Sequence, residues 1–352
     1  MPGVGSMWHL TQESLQMPEI PLGEMQRLTI PARQSAGSFL FSEISTDFKN
    51  LQADIVFLGI PHGSAYTPDA IANDQINAPD VIRAVTNRVS RSLERYDFDV
   101  GGPIYDGRDI SAVDLGNVPF DISVPGGDHY RKAELVLRSV YETGAMTVVF
   151  GGDHGIPFPI FKALEVVSSA EDPIVLIQID AHIDWRDHVN GVRDGLSSPI
   201  RRASEMAHIG EIFQIGIRAQ GSGRTEEYEA AMAYGANIIP AFEVHDNGVD
   251  AILARIPDNR RYYITIDADG IDPSEAPAVE GPAPGGLTFH QCRKLIHGLV
   301  GKGRVLGMDI VEITPSRDVN DITSILAGRL VVNLIGAAVR ADYFTTEPNE
   351  KP

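Results

Sequence analysis

The chain has 352 residues, 43% of them hydrophobic and 22% charged, an ordinary composition for a folded domain. Its 29 Lys and Arg stand against 48 Asp and Glu, and the net charge of −19 argues against nucleic acid and anionic membranes as partners while favouring cations. A single cysteine, Cys292, excludes an intrachain disulfide and a multi-cysteine metal site, and suits a reducing cytoplasm.

Residues 1–45 read as an N-terminal extension. Pro18, Pro21 and Pro31 interrupt any helix, and the segment lacks the basic and apolar regions of a signal peptide. Residues 46–352 read as one domain. Short apolar runs at 55–58, 146–150, 174–179, 212–215, 238–239, 262–266 and 305–310 suit strands buried on both faces of a parallel sheet. Between them lie helical stretches. Asp128 is placed to cap a helix over 128–141 ending at Gly144, a second spans 224–234 and stops at Gly235, and Thr288 caps a third running to about 299. Strand and helix in alternation predict an α/β fold with helices on both sheet faces. No stretch approaches the roughly 18 apolar residues of a membrane helix. The longest candidates, 330–338 and 174–179, contain Asn333 and Gln178.

Ligands of an open parallel sheet bind beyond the carboxyl ends of its strands. The residues that follow the apolar runs there are Gly151-Gly152-Asp153-His154, Asp180-Ala181-His182-Ile183-Asp184, Asp267-Ala268-Asp269 and Val311-Glu312. On an extended strand end, residues two apart project to one side, so Asp180, His182 and Asp184 would face one point and Asp267 with Asp269 would meet them. So many converging polar groups call for a compensating cation. Four carboxylates and two imidazoles suit two divalent metals, and the absence of thiolate favours Mn²⁺, Ni²⁺, Co²⁺ or Fe²⁺ over a structural zinc.

GGDH at 151–154, DAHID at 180–184, IDADGIDP at 266–273 and GMDIVEITP at 307–315 closely resemble the motifs of the ureohydrolase family of arginases, agmatinases and guanidinobutyrases. GIPHGSAY at 59–66, APDVIR at 78–83, EEYEAAMAYG at 226–235 and PAPGGLT at 282–288 extend the likeness over roughly 50–345. The resemblance implies a three-layer α/β/α fold with a mostly parallel eight-stranded sheet. It also implies a binuclear centre with two divalent ions per chain, Mn²⁺ or Ni²⁺. One ion would be held by His154, Asp180, Asp184 and Asp267, and the other by Asp180, His182, Asp267 and Asp269. Water activated there would attack a guanidinium carbon and release urea, with Asp184 passing on the proton and Glu312 pairing with the guanidinium. A cytoplasmic homo-oligomer, trimeric or hexameric, goes with the likeness, and a hetero-oligomer stays open.

The departures lie on the substrate side. The loop 185–203 has neither the family's His-Gly-Thr segment nor the Ser-Gly-Asn signature with which arginases read an amino acid. His188 is the candidate replacement shuttle, or an ordinary surface histidine. Ala278-Val279-Glu280-Gly281-Pro282 stands where the family has Gly-Thr-Gly-Thr-Pro, so Glu280 is either a clamp for distal nitrogens or a solvated charge. Trp185 is either a cation-stacking face or loop packing. These changes favour a small carboxylate-free guanidinium compound: guanidine, an alkylguanidine or a biguanide. The alternatives are an agmatinase or guanidinobutyrase, a formiminoglutamate-type hydrolase, and a non-catalytic subunit.

Overall fold

The computed structural model describes residues 37–47, 50–63, 66, 74–120, 126–221 and 223–344. Residues 1–36 of the expected extension, with their three prolines, and positions 64 and 65 of the GIPHGSAY motif lie outside them. Among the described residues, nine strands form one sheet: β1 (Glu43–Ile44), β2 (Ile55–Ile60), β3 (Ala112–Asn117), β4 (Met146–Gly151), β5 (Ile174–Ile179), β6 (Ile209–Ile217), β7 (Asn237–Pro240), β8 (Arg261–Asp267) and β9 (Arg304–Val311). Their order is β1-β3-β2-β4-β9-β8-β5-β6-β7, and every neighbouring pair is parallel.

The sheet therefore has nine strands and not the expected eight. The additional one is β1, two residues long, which pairs Glu43 with Val113 and Ile44 with Asp114. It lies inside the stretch read as an extension, and the described part of that stretch packs into the domain. Phe39 and Leu40 are fully buried, and the Phe39 ring sits 4.9 Å from those of Phe57 and Phe150.

The apolar runs are strands buried on both sides, as their composition requires. Along β2, Ile55 and Phe57 enter one core with the helices Ala78–Val89, Phe289–Lys302 and Ile322–Arg340. Val56 and Leu58 enter the other core with the helices Gly126–Glu142 and Pro157–Ala163. Asp128 falls in the first turn of its helix rather than at the cap. Thr288 does cap: its Oγ1 accepts from the Gln291 N–H at 3.2 Å, and Gln291 Oε1 accepts from the Thr288 N–H at 2.9 Å. The helix Ile322–Arg340 is longer than the apolar run at 330–338 suggested. By length and composition it would reach across a membrane, but 83% of that stretch is buried inside the protein, where it serves as a core helix.

Candidate active site

Four adjacent strands, β4, β9, β8 and β5, end level with one another: Phe150 pairs with Ile310, Asp267 with Val311 and Ile179 with Ile266. The four segments that leave them carry the singled-out residues, so sheet topology alone gathers side chains more than a hundred residues apart. Two clusters form. In the first, His154 Nδ1 stands 2.7 Å from Asp184 Oδ2, 3.1 Å from Asp180 Oδ2 and 3.3 Å from Asp267 Oδ2. In the second, His182 Nδ1 stands 3.0 Å from Asp269 Oδ2 and 3.5 Å from Asp180 Oδ1. Asp180 faces both with its two oxygens. Asp267 joins the first cluster and reaches the second through its own turn, where its Oδ1 accepts from the Asp269 N–H at 2.9 Å.

The convergence does not arise from extended-strand alternation. β5 ends at Ile179, and Asp184 has φ of +47°. The backbone bends, and the bend is held by the His182 N–H on Asp180 Oδ1 (2.6 Å) and the Ala181 N–H on Asp269 Oδ1 (3.1 Å). Likewise Ala268–Gly270 is a 3₁₀ turn that Asp267 caps. Glu312, at φ +65°, is a second non-glycine residue held in the left-handed region at this rim.

Buried partners orient the cluster. Gln214 Nε2 donates to Gln178 Oε1 (2.6 Å), and Gln178 Nε2 to Asp180 Oδ2 (2.6 Å). Thr265 Oγ1 donates to Asp309 Oδ1 (2.8 Å), so it is left to accept from His154 Nε2, 3.1 Å away. That fixes a proton on Nε2 and turns Nδ1 toward three carboxylates; burial would lower His154, but Asp184, Asp180 and Asp267 outweigh it and hold it well above the usual imidazole range while no metal is bound. His154 Nδ1 and Asp184 Oδ2 are both buried with no hydrogen-bond partner. An imidazole nitrogen and three carboxylates meeting at one point fit a divalent cation, which would take the place of the Nδ1 proton.

Without metal, the cluster balances its charge with protons. Burial, followed by repulsion from Asp180, pushes Asp184 up to about 6. Burial, then Asp269 and Asp180, holds Asp267 well above the usual carboxylate range, and burial with Asp180 raises Asp269. Burial would lower His182, but its bonds to Asp180 and Asp269 outweigh it and push it up to about 12. Bound dications would reverse this pattern and fix all four carboxylates in the ionised form.

The remaining singled-out residues divide. Glu312 joins the site: its Oε1 accepts from the His154 N–H at 2.7 Å and its Oε2 from Gln75 Nε2 at 2.6 Å. Glu280, exposed at the rim, accepts from the same Gln75 nitrogen at 3.1 Å. Trp185 offers no cation-stacking face. Its ring is 1% exposed and packs 5.7 Å from that of Tyr234, so the indole that follows Asp184 in sequence turns into the helix layer. His188 is exposed in its loop, with no hydrogen bond or ion pair to any of the six clustered residues. Sequence reading missed Gln75, Thr265 and Asp309. It also missed His62, whose Nδ1 lies 3.0 Å from both oxygens of Asp153. The one available signal was a polar residue inside an apolar run, as at Gln178.

Residues 53–336 match the model of the arginase family. The chain is similar to an agmatinase of Chromobacterium violaceum, at 30% identity over 85% of this chain and 87% of the relative. It is also similar to a guanidinobutyrase of Pseudomonas aeruginosa, at 27% identity over 80% and 85%. Among solved structures, a hypothetical agmatinase of Burkholderia thailandensis superimposes with a TM-score of 0.74 at 26% identity, over 87% of this chain and 92% of that one.

Proposed function

The chain belongs to the arginase family of hydrolases that act on C–N bonds of linear amidines, and on that premise we propose that it cleaves a small carboxylate-free guanidinium cation, releasing urea. The observation that carries the reading is the pair of clusters around His154 and His182, sharing Asp180, beside the acid pair Glu312 and Glu280. His154, Asp180, Asp184, Asp267, His182 and Asp269 would hold two divalent ions, Mn²⁺ or Ni²⁺. When bound, such a pair makes hydroxide available as a nucleophile near neutral pH.

The protein's own groups do the rest. Each Glu312 oxygen has one protein donor, from His154 N–H or Gln75, which leaves a lone-pair direction on each for two guanidinium N–H groups. That contact orients the guanidinium carbon over the clustered aspartates. Asp184, at the same point, would take the proton released from the attacking water and pass it to the departing nitrogen. A carboxylate-bearing substrate would approach Glu280 and Glu312 against like charge, screened by water at the exposed Glu280 and less so at the buried Glu312. The buried single cysteine accords with a cytoplasmic setting, and assembly would be as a homo-oligomer.

The relatives' names support a second reading, agmatine or guanidinobutyrate as substrate. One screen tests both: urea release from guanidine, methylguanidine, a dimethylbiguanide, agmatine, guanidinobutyrate and arginine, with Mn²⁺ and with Ni²⁺. The highest kcat/KM on guanidine, an alkylguanidine or the biguanide is expected. A preference for arginine or guanidinobutyrate overturns the substrate assignment and leaves the hydrolase chemistry standing. One zinc per chain in active protein overturns the binuclear reading.

A further inference from the structure

Gln75 belongs to none of the motifs, yet it lies at the junction of three segments that close over the site. It opens the 3₁₀ turn Gln75–Asn77 ahead of the helix Ala78–Val89, and it is 1% exposed. Its Nε2 lies 2.6 Å from Glu312 Oε2 and 3.1 Å from Glu280 Oε2. An amide nitrogen carries two hydrogens, and here each meets a carboxylate. The flipped amide would set its oxygen against both, so the orientation is dictated. The turn is pinned from either side. Asp74 accepts from the Ser316 N–H (3.0 Å) and Oγ–H (2.8 Å). Val279 bridges to Ile313, one residue from each of the two glutamates. The junction stands over the clusters: a Cβ on Gly281 would lie 3.2 Å from His182 Cε1 and 3.3 Å from Asp269 Oδ2.

Two carboxylates this close repel each other. A lysine between them would hold them together by cancelling charge. The Gln75 amide holds them without doing so, and both negative charges stay available to an incoming cation. Among the described residues, Gln75 supplies the one hydrogen bond to Glu280, an exposed side chain that would otherwise swing into solvent.

We propose that Gln75 is a specificity-determining positioning residue, whose amide joins Glu312 and Glu280 into a single acidic clamp for a compact guanidinium cation. The proposal rests on the reading of this site as a guanidinium hydrolase, and it adds how that site selects against carboxylates.

The test uses the full chain loaded with Mn²⁺, as wild type, Gln75→Leu, Glu280→Ala and the double variant. Steady-state urea release from guanidine, methylguanidine and guanidinobutyrate is measured, together with calorimetric binding of guanidinium chloride. Gln75→Leu should raise KM and the guanidinium Kd at least about tenfold, the scale of a lost hydrogen bond to a charged group, with kcat kept within about threefold. Its preference for guanidine over guanidinobutyrate should fall by a similar factor. Glu280→Ala, at an exposed position, should move KM in the same direction and keeps the test open where Gln75→Leu fails to fold. The double variant should lose less than the product of the single effects. Unchanged KM and Kd with kcat lowered by one common factor on all substrates, or multiplicative effects in the double variant, overturn the proposal. Wild type releasing no urea from any of the three overturns the functional reading instead, and the guanidinium Kd still decides the role of Gln75.

Discussion

Two buried polar clusters flank β4, and they are resolved in opposite ways. On one side Arg83 is fully buried and lays its guanidinium against Asp114, with Nε on Oδ2 at 2.8 Å and the terminal nitrogen on Oδ1 at 2.9 Å. Its other donors reach Asn117 Oδ1 (2.7 Å) and Gly116 O (3.0 Å), and Asp114 also accepts from the N–H groups of Phe39 and Gly116. Charge and hydrogen bonds balance within the chain. On the other side, four aspartates, a glutamate and two histidines meet with several carboxyls driven upward in pKa and with His154 Nδ1 unbonded. Without metal, that cluster is balanced only by protons held on its histidines and carboxyls, which a bound cation would displace. Burial of charge is common to both, and only the shortfall marks the second as a site of chemistry.

The sharpest way to break this contrast is to damage each cluster and read both activity and stability. Asp269→Asn or His154→Ala should lower turnover by at least about 10³-fold, because the proposed nucleophile depends on the proposed metal pair, while the thermal midpoint of the chelated protein stays near wild type. Activity within tenfold of wild type would mean that the site lies elsewhere. Arg83→Met should do the reverse. It strands Asp114 in the core and should cost about 3–5 kcal/mol in chemical denaturation, with metal content per folded chain unchanged.

Metal removal comes next in size. Chelation should lower stability by about 5 kcal/mol, about 2.7 for each of two ions, relative to protein held at a hundredfold excess over the metal Kd, and abolish urea release. The loss should depend on pH with a definite sign. Asp184, raised from 3.8 to about 6, binds its proton more tightly folded than unfolded, so its contribution is full below about pH 4 and disappears by about pH 6. His182, raised from 6.5 to about 12, likewise contributes fully below 6.5 and progressively less above it. Chelated protein should therefore melt higher at about pH 5.5 than at about pH 8, by a margin the metal-loaded form does not show. An equal pH response of the two forms would contradict the charge imbalance. The smallest effect belongs to the rim. Glu280→Gln should raise KM for a guanidinium cation by only about three- to tenfold, as one partly solvated charge is lost.

The metal-ligand candidates were legible because each follows directly on an apolar strand, and strand order does the gathering. What escaped were partnerships across long stretches of sequence. Gln75 meets Glu312 from 237 residues away, and Thr265 meets Asp309 across 44. β3 escaped because its buried Asp114 interrupts the apolar run, and only the distant Arg83 makes that aspartate tolerable in a core. Trp185 shows the opposite error. Nearness in sequence to Asp184 said nothing of direction, and the left-handed backbone at Asp184 sends the next side chain into the helix layer. The same bend, not a strand's alternation, aims Asp180 and Asp184 at His154.

The place of β9 between β4 and β8 has a consequence for how the protein is made. His154 belongs to the half of the sheet that ends at β4, and Asp180, His182, Asp184, Asp267 and Asp269 to the half that begins at β8. Those halves are joined edge to edge by β9, residues 304–311, which is synthesised after β8 and after all six candidate ligands. Until it is made, the edges of β4 and β8 that pair with β9 are open, and the strand that sets the spacing between His154 and the other five candidate ligands is missing. A chain halted before β9 would carry all six candidate ligands without the strand that joins the two halves on which they sit.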